Sequence, residues 1–397
     1  MNPIAPQIRQ FIQEHRFDSP QQLALQLSGK KTDAGFAFIL DQISGRQAMK
    51  EKIPSWYELD DLVYPPSLSL EQASSEATAQ YKASLVHGRS LVDLTGGFGV
   101  DCAFLSGSFD SVVYVEEQAA LCEIASLNFS TLGKNNIRIL CRDAVSYLQQ
   151  AHPVDCIYLD PARRSKTGQK TVSIADCVPD AGSIRSLLLE KSGTLMIKLS
   201  PMLDISSALQ TFPETKSVHV ISVKNECKEL VFLIEKGYQG EAEIHCVNLH
   251  SSMGNPFFSF FKSEEKSLHI AYTAEVAHFL YEPNTSLLKA GAYKSVAIQY
   301  GLRKLHPDSH LYTSEQYIPD FPGRIFQVVF VSSFNTAELK NHCKGINSAN
   351  ISVRNFPGTS EQLKKRLQLK DGGSLYLFAT TLDNGKRVII AGNKKQI

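Results

Sequence analysis

Four stretches carry residue types that could do chemistry, and each follows a short apolar run. After Leu91–Leu94 comes Thr95-Gly96-Gly97-Phe98-Gly99, with three glycines in four residues. Such a turn can take positive φ and let the backbone approach a ligand closely, and the helix after it points free N–H groups at the turn. After Ser111–Val115 comes Glu116, after Ile137–Cys141 come Asp143 and Ala144, and after Asp155–Leu159 comes Asp160-Pro161-Ala162-Arg163-Arg164. A carboxylate at the second of these ends can accept both hydroxyls of a ribose. One at the third can accept from an adenine amino group. At the fourth, Asp160 and the carbonyl of Pro161 could accept N–H bonds from an amine nucleophile, and Asp160 could take its proton. The other reading of Asp160 is a loop cap after a strand. A dinucleotide site would share the first two features, but the third fingerprint glycine is absent and no phosphate-binding lysine follows, so the turn is not a P-loop.

These positions need an open parallel sheet, because ligands sit at the carboxyl ends of such strands near the switch point. Residues 86–240 have that pattern. Strands are expected at Leu91–Leu94, Ser111–Val115, Ile137–Cys141, Asp155–Leu159 and Thr194–Leu199, separated by helical segments. Val218–Val223 and Leu230–Ile234 follow with no helix between them, which implies one antiparallel hairpin. Residues 1–85 read as helical, and Leu70, Ser74, Thr78 and Lys82 would share one helix face. Small hydroxyls there could hydrogen-bond a carboxylate or, equally, be packing residues that let a helix lie close; Ser75 and Thr78 are the candidates for contact with a cofactor. Residues 241–323 read as an α+β connecting domain, with a strand at Glu243–Leu249, helices at Leu268–Leu280 and Thr285–Gln299, and Phe257, Phe258, Phe260 and Phe261 in the core. Residues 324–397 read as a βαβαββ module of ferredoxin-like type that could fold by itself, closed by an Asp383-Asn384-Gly385-Lys386 hairpin turn.

Composition narrows the partners. The 397 residues are 43% hydrophobic and 20% charged, as in an ordinary globular protein. No apolar run is long enough to cross a membrane, and Met1 to Pro20 lacks the apolar segment of a signal peptide. Eight cysteines occur singly, without a Cys-x-x-Cys pair, so neither a metal site nor a disulfide framework is expected and a cytoplasmic location is the simplest. The net charge is +1, yet residues 324–397 hold 12 Lys and Arg against 4 Asp and Glu. That basic excess of 8 suits a polyanionic partner, with Arg354, Lys364, Lys365 and Arg366 as first candidates for phosphate contacts. Arg163, Arg164 and Lys166 add positive charge beside Asp160, and Lys198, Asn225 and Lys228 at later strand ends are candidates for the substrate wall.

Taken together, the strand ends resemble those of class I S-adenosylmethionine-dependent methyltransferases over roughly residues 70–236. Asp93, Gly97 and Gly99 match the glycine motif, Glu116 the ribose acid, Asp143 the adenine-side acid, and Asp160-Pro161 the catalytic loop. More specifically, Glu71-Gln-Ala-Ser-Ser-Glu-Ala-Thr-Ala-Gln-Tyr-Lys82, Tyr158-Leu-Asp-Pro-Ala-Arg-Arg164, Lys198-Leu-Ser-Pro-Met-Leu-Asp204, Lys224-Asn-Glu-Cys-Lys-Glu229 and Val353-Arg-Asn-Phe-Pro357 resemble bacterial methyltransferases with a THUMP-like C-terminal domain. The resemblance implies a Rossmann-like α/β methyltransferase sheet with an N-terminal helical region and a small THUMP-like α+β module. It implies S-adenosyl-L-methionine held by Asp93, Thr95, Gly96, Gly97, Phe98, Gly99, Glu116, Asp143, Ala144 and Asp160. Asp160 and Pro161 would be catalytic, and a base in RNA (rRNA or tRNA) the substrate. Arg163 stands where amine methyltransferases of the Asp-Pro-Pro-aromatic type have an aromatic, which leaves the methylated atom open. A protein or small-molecule methyltransferase, and a non-catalytic RNA-binding protein, are the alternatives.

Overall fold

The computed structural model describes residues 6–27, 34–163, 174–249 and 257–395. The chain divides into two units: one holds residues up to Val218 together with Glu229–Glu241, the other His219–Lys228 together with Ala242 onward. This division does not follow the four segments expected from the sequence.

The first unit begins with helices α1 (Pro6–Glu14), α2 (Pro20–Leu27), α3 (Ala34–Lys52), α4 (Pro54–Tyr57), α5 (Ser67–Gln72) and α6 (Glu76–Ala83). Ile12, Leu23 and Ile43 form their shared apolar cluster. The Rossmann-like sheet follows. Its strands are β1 (Gly88–Asp93), β2 (Phe109–Glu116), β3 (Ile137–Cys141), β4 (Val154–Leu159), β5 (Ser192–Leu199), β6 (Thr215–Val223) and β7 (Glu226–Glu235), of which residues 219–223 of β6 and 226–228 of β7 are counted with the second unit. The strand order is β3-β2-β1-β4-β5-β7-β6. Neighbours from β3 to β5 are parallel, and β7 is antiparallel to β5. Helices α7 (Val100–Leu105), α8 (Ala119–Thr131), α9 (Ala144–Gln150), α10 (Arg185–Lys191) and α11 (Ile205–Thr211) make the connections. Apolar runs such as Cys156-Ile157-Tyr158-Leu159 are buried throughout, as expected of strands covered on both faces. The chain runs outward from β1 to β2 and β3, then returns to the other side of β1 as β4. The connections leaving β1 and β4 therefore diverge, and that divergence opens a crevice at their carboxyl ends.

In the second unit, β8 (Glu243–Leu249) and β9 (Phe257–Phe261) form an antiparallel pair. The phenylalanines alternate: Phe258 and Phe260 are buried, whereas Phe257 is exposed and stacks on His245. After α12 (Lys262–Ser267) comes β10 (Phe279–Pro283). The helix expected over Leu268–Leu280 is not formed. Ala274, Val276 and Leu280 pack as extended chain against a sheet core instead. The single helix expected over Thr285–Gln299 is two, α13 (Thr285–Ala290) and α14 (Ser295–Gln299), because Gly291 at φ +81° ends the first in the left-handed region.

The short strands β11 (Arg303–Lys304) and β12 (Tyr312–Ser314) precede the terminal βαβαββ pattern. That pattern is β13 (Gly323–Ser333), α15 (Thr336–His342), β14 (Asn350–Arg354), α16 (Ser360–Leu367), β15 (Leu375–Thr381) and β16 (Arg387–Lys394). All seven strands from β10 on join one sheet, ordered β11-β12-β10-β13-β16-β15-β14. One apolar core mixes Leu280, Leu305 and Leu311 with Phe326, Phe378 and Ile390. The terminal module is thus not separable: cutting before residue 325 would strip β10 of its partner β13 and open that core.

Candidate functional site

The glycine turn is shaped by steric need on one side and kept open on another. A side chain at Gly96 would strike the Tyr114 ring at 2.2 Å, and one at Gly99 would strike Phe129 at 2.8 Å. Gly97 differs. Its φ is +55°, but an added Cβ would meet only the Thr95 carbonyl, at 3.8 Å. Space above Gly97 is therefore open, while its backbone conformation favours glycine. Tyr114 donates its hydroxyl to the Gly97 carbonyl at 2.6 Å, and burial pushes that phenol up. Helix α7, after the turn, is only six residues long.

Glu116 ties this turn to the end of β2. One carboxylate oxygen accepts the Gly97 N–H at 3.0 Å and the other the Gln118 N–H at 2.9 Å. Each oxygen keeps a lone pair for a further donor, which is the acceptor set a ribose diol requires. Asp143 caps α9, accepting the Ser146 N–H at 2.8 Å, and that backbone bond holds its carboxyl below the ordinary range. It is exposed, and Ala144 opens the helix behind it. Asp93 is buried and accepts the Thr95 N–H at 3.0 Å; burial, with the nearby Asp101, Asp160 and Glu116, pushes its carboxyl up. Phe98 is buried against Trp56. These residues, with the open face of Gly97, fit a nucleoside ligand.

The Asp160 N–H donates to Thr95 Oγ1 at 2.7 Å, which joins the loop after β4 to the glycine turn. Leu159 on β4 lies opposite Ile197 on β5, so Asp160, just past the end of β4, stands beside Lys198, which is still within β5. Lys198 Nζ donates to Asp160 Oδ2 at 2.5 Å. Pro161 is buried. Ala162 and Arg163 then pair with Cys177 and Val178 as a two-residue antiparallel ladder. Arg164 and Lys166 lie outside the described residues.

A group of residues that the sequence reading did not single out as a site backs Lys198. Lys82, with no exposed surface, donates to Ser74 Oγ and Glu229 Oε1, both at 2.8 Å, and lies 3.0 Å from Asp101 Oδ1. Asp101 Oδ2 accepts from Ser74 at 2.8 Å and from the Tyr158 hydroxyl at 2.6 Å, and lies 3.9 Å from Lys198 Nζ. Burial opposes ionisation of Asp101, but Lys82 and Lys198 overcome it, with Tyr158 and Ser74 helping, and hold its carboxyl down to about 2. Lys198 is buried too, yet Asp160, Asp101 and Glu229 hold its ammonium up. The available signals were an acid in the first turn of the helix after a glycine loop, and Lys82 on the face that also carries Ser74 and Thr78.

Other expected site residues have structural partners. Ser75 caps α6 by accepting the Thr78 N–H, and the buried Thr78 returns its hydroxyl to the Ser75 carbonyl. Asn225 and Lys228 belong to the second unit. Asn225 Oδ1 accepts the Thr285 N–H at 2.9 Å, and the exposed Lys228 pairs with Glu226 at 2.7 Å. Arg354 is not a free phosphate contact: its guanidinium donates to buried Glu282 at 3.0 Å, which also pairs with Arg324. Lys364 pairs with Asp371 at 2.6 Å, and Arg366 lies over the Phe334 ring. Lys365 is exposed. Among the described residues no cluster of His, Cys, Asp or Glu could hold a metal ion, and no helix is long and apolar enough to cross a membrane.

Two family models match the second unit: a ferredoxin-like domain over residues 279–322 and a THUMP domain-like family over residues 323–394. No curated protein matches the sequence. Among solved structures, a "putative methyltransferase" from Porphyromonas gingivalis W83 is 35% identical, with 98% of this chain and 97% of that one covered and a TM-score of 0.86. An rRNA methylase from Streptococcus thermophilus is 19% identical over 40% of this chain and 94% of its own, at a TM-score of 0.30. A "putative methyltransferase" from Streptococcus mutans solved with S-adenosylhomocysteine is 18% identical over 40% of this chain and 96% of its own, at a TM-score of 0.31. At those scores the last two carry no argument about this chain.

Proposed function

We propose that this chain, which belongs to the bacterial family of class I S-adenosylmethionine-dependent methyltransferases with a THUMP-like C-terminal domain, transfers a methyl group to a base in RNA. The observation that carries the reading is the link between Thr95 and the Asp160 backbone. It fixes the loop after β4 against the turn whose Gly97 is tied to Glu116. A residue able to touch a nucleophile is thereby held next to residues able to hold a nucleoside.

Bound S-adenosylmethionine would supply a methyl group on a sulfonium, already a good leaving group. The protein's part is then mostly alignment, which is worth up to roughly 7–11 kcal/mol when the geometry is good. Glu116 would take the ribose hydroxyls, Asp143 the adenine edge, and Gly97 would leave room for the cofactor against the backbone. Asp160, with the carbonyl of Pro161, would accept N–H bonds of the substrate and orient its lone pair toward the methyl. Arg163, with Arg164 and Lys166, would bring positive charge to a phosphate-bearing substrate, and the basic excess after residue 324 would add to RNA affinity.

The test is transfer of tritiated methyl from S-adenosylmethionine to total RNA, total DNA and total protein from a strain lacking the gene. Label in RNA supports the reading. Label in protein alone overturns the choice of RNA.

A further inference from the structure

Lys198 stands between two parts of the first unit. On its open side it touches Asp160; on its closed side it faces Asp101, behind which lie Lys82, Ser74, Tyr158 and Glu229. The group holds three carboxylates, at Asp101, Asp160 and Glu229, and two ammonium ions, at Lys82 and Lys198. Four of the five are almost wholly enclosed. Only Asp160 is open, with 36% of its side chain accessible against 11% for Lys198. Lys82 is shared between Asp101 and Glu229, and Lys198 pairs with Asp160 at the end that opens to solvent. Burying ions this deeply costs several kcal/mol each unless they are fully paired, and a hydrophobic substitute often stabilises a fold as well or better. Such a chain needs a reason beyond stability, and its single exposed terminus indicates one.

We propose that Lys198 is a positioning residue of the transfer site: anchored by the buried Lys82–Asp101 pair, it claims Oδ2 of Asp160, so that Oδ1 alone faces the incoming nucleophile. The inference rests on the role given above to Asp160, and adds to it. Asp160 has a short side chain on a loop, and the Thr95 bond fixes only its backbone. Without a partner its carboxylate would rotate about χ1 and χ2 between several wells. The ammonium selects one orientation. Asp101, the other acid near Lys198, lies farther off at 3.9 Å and is itself held by Lys82, Ser74 and Tyr158.

A residue that acts only through Asp160 has a distinctive signature, which a double-mutant cycle reads. Lys198→Met, Asp160→Ala and the double variant are compared with the wild-type chain, using tritiated S-adenosylmethionine. The acceptor is whichever of total RNA, DNA or protein the wild-type chain labels. The cycle is therefore readable even if RNA is not the substrate, and failure of one idea is not failure of the other. Cofactor binding is followed separately by calorimetry with S-adenosylhomocysteine. Lys198→Met is expected to lower kcat by about 100-fold, the loss typical of a misplaced reacting group. Its affinity for S-adenosylhomocysteine stays near wild type, and in the Asp160→Ala background it costs nothing further. The split between KM and kcat adds a readout that a merely structural role would not move: the loss falls on kcat while KM for S-adenosylmethionine stays near wild type. If Lys198→Met fails to fold, Lys198→Arg and Lys198→Gln take its place. The first keeps the cation and should restore much of the wild-type turnover; the second keeps only a donor and should not. Wild-type turnover in Lys198→Met, equal losses of affinity and rate, or losses that add in the double variant would each overturn the proposal.

Discussion

Lys82→Met is the sharpest test of the buried charge group. The lysine has no accessible surface and lies within 2.8 Å of Glu229 Oε1 and Ser74 Oγ and 3.0 Å of Asp101 Oδ1. Methionine has nearly the same length and leaves little cavity, so the cost is electrostatic. Two carboxylates lose their nearest cation, and Lys198 is 3.9 Å from Asp101. Breaking a buried pair from one side costs about 3–5 kcal/mol. A unit of this size loses roughly 2–4 °C in Tm per kcal/mol, so the expected fall is of the order of 10 °C by calorimetry of the full chain. Two controls identify the cause. Glu229→Gln, placed on top of Lys82→Met, removes one stranded charge and should raise Tm again. The loss should also be nearly the same in low and high salt, because buried charges are weakly screened. The pH dependence has a definite sign. Asp101 is held down to about 2, so its ionised form contributes stability above the ordinary carboxylate range, and that contribution is lost as pH falls toward 2. In Lys82→Met the loss should begin at higher pH. A Tm change under about 3 °C, or a further fall with Glu229→Gln, would refute the reasoning.

Other outcomes follow from the same geometry. Gly97→Val should abolish S-adenosylhomocysteine binding by calorimetry while the far-ultraviolet dichroism stays unchanged, because the new side chain enters open space at a φ of +55° rather than the core. Asp160→Ala should keep cofactor affinity and lower turnover by orders of magnitude, whereas retained activity in Asp160→Asn would assign Asp160 the role of acceptor rather than base. His219 is held down to about 3 by burial, with His245 stacked 4.6 Å away adding to it, so the folded chain keeps it neutral while an unfolded chain protonates it. Stability of the second unit should fall as pH drops through about 6.5 toward 3, and His219→Gln should flatten that slope in thermal unfolding. Lys365→Glu should reduce the log–log salt dependence of RNA affinity by about 0.7, the contribution of one phosphate contact on a single strand. An unchanged slope would remove Lys365 from the RNA surface.

The strand ends of the first unit were legible because each is a local event. An apolar run closes at a glycine or an acid, and the parallel order then brings Gly97, Glu116, Asp143 and Asp160 to one edge of the sheet. Ser75 shows the limit of such local signals: a hydroxyl next to a helix start looks alike whether it binds a ligand or, as here, accepts the Thr78 N–H. The segment 268–278 was misread because apolar spacing in a short stretch suits either a helix or an extended chain, and the sheet core decided. The buried charge group left local signals for Asp101 and Lys82 taken singly, but none for their pairing. Lys82 meets Glu229 across 147 positions, and no spacing rule links a helix residue to a strand that distant.

Charge shows the same limit in the second unit. A segment sum counts residues by position, whereas a fold counts them by partner. The basic excess after residue 324 includes Arg324 and Arg354, yet both guanidinium groups are bound to Glu282, which lies before the segment begins. That carboxylate is 3% exposed, so each arginine that leaves it exposes a buried ion to loss of its partner. Phosphate could recruit either arginine only by breaking that arrangement, while Lys365 offers its charge without such a cost. The terminal module's contribution to RNA affinity should therefore be smaller than its formal charge suggests, and it should be concentrated on the exposed face of α16 rather than spread along β13 and β14.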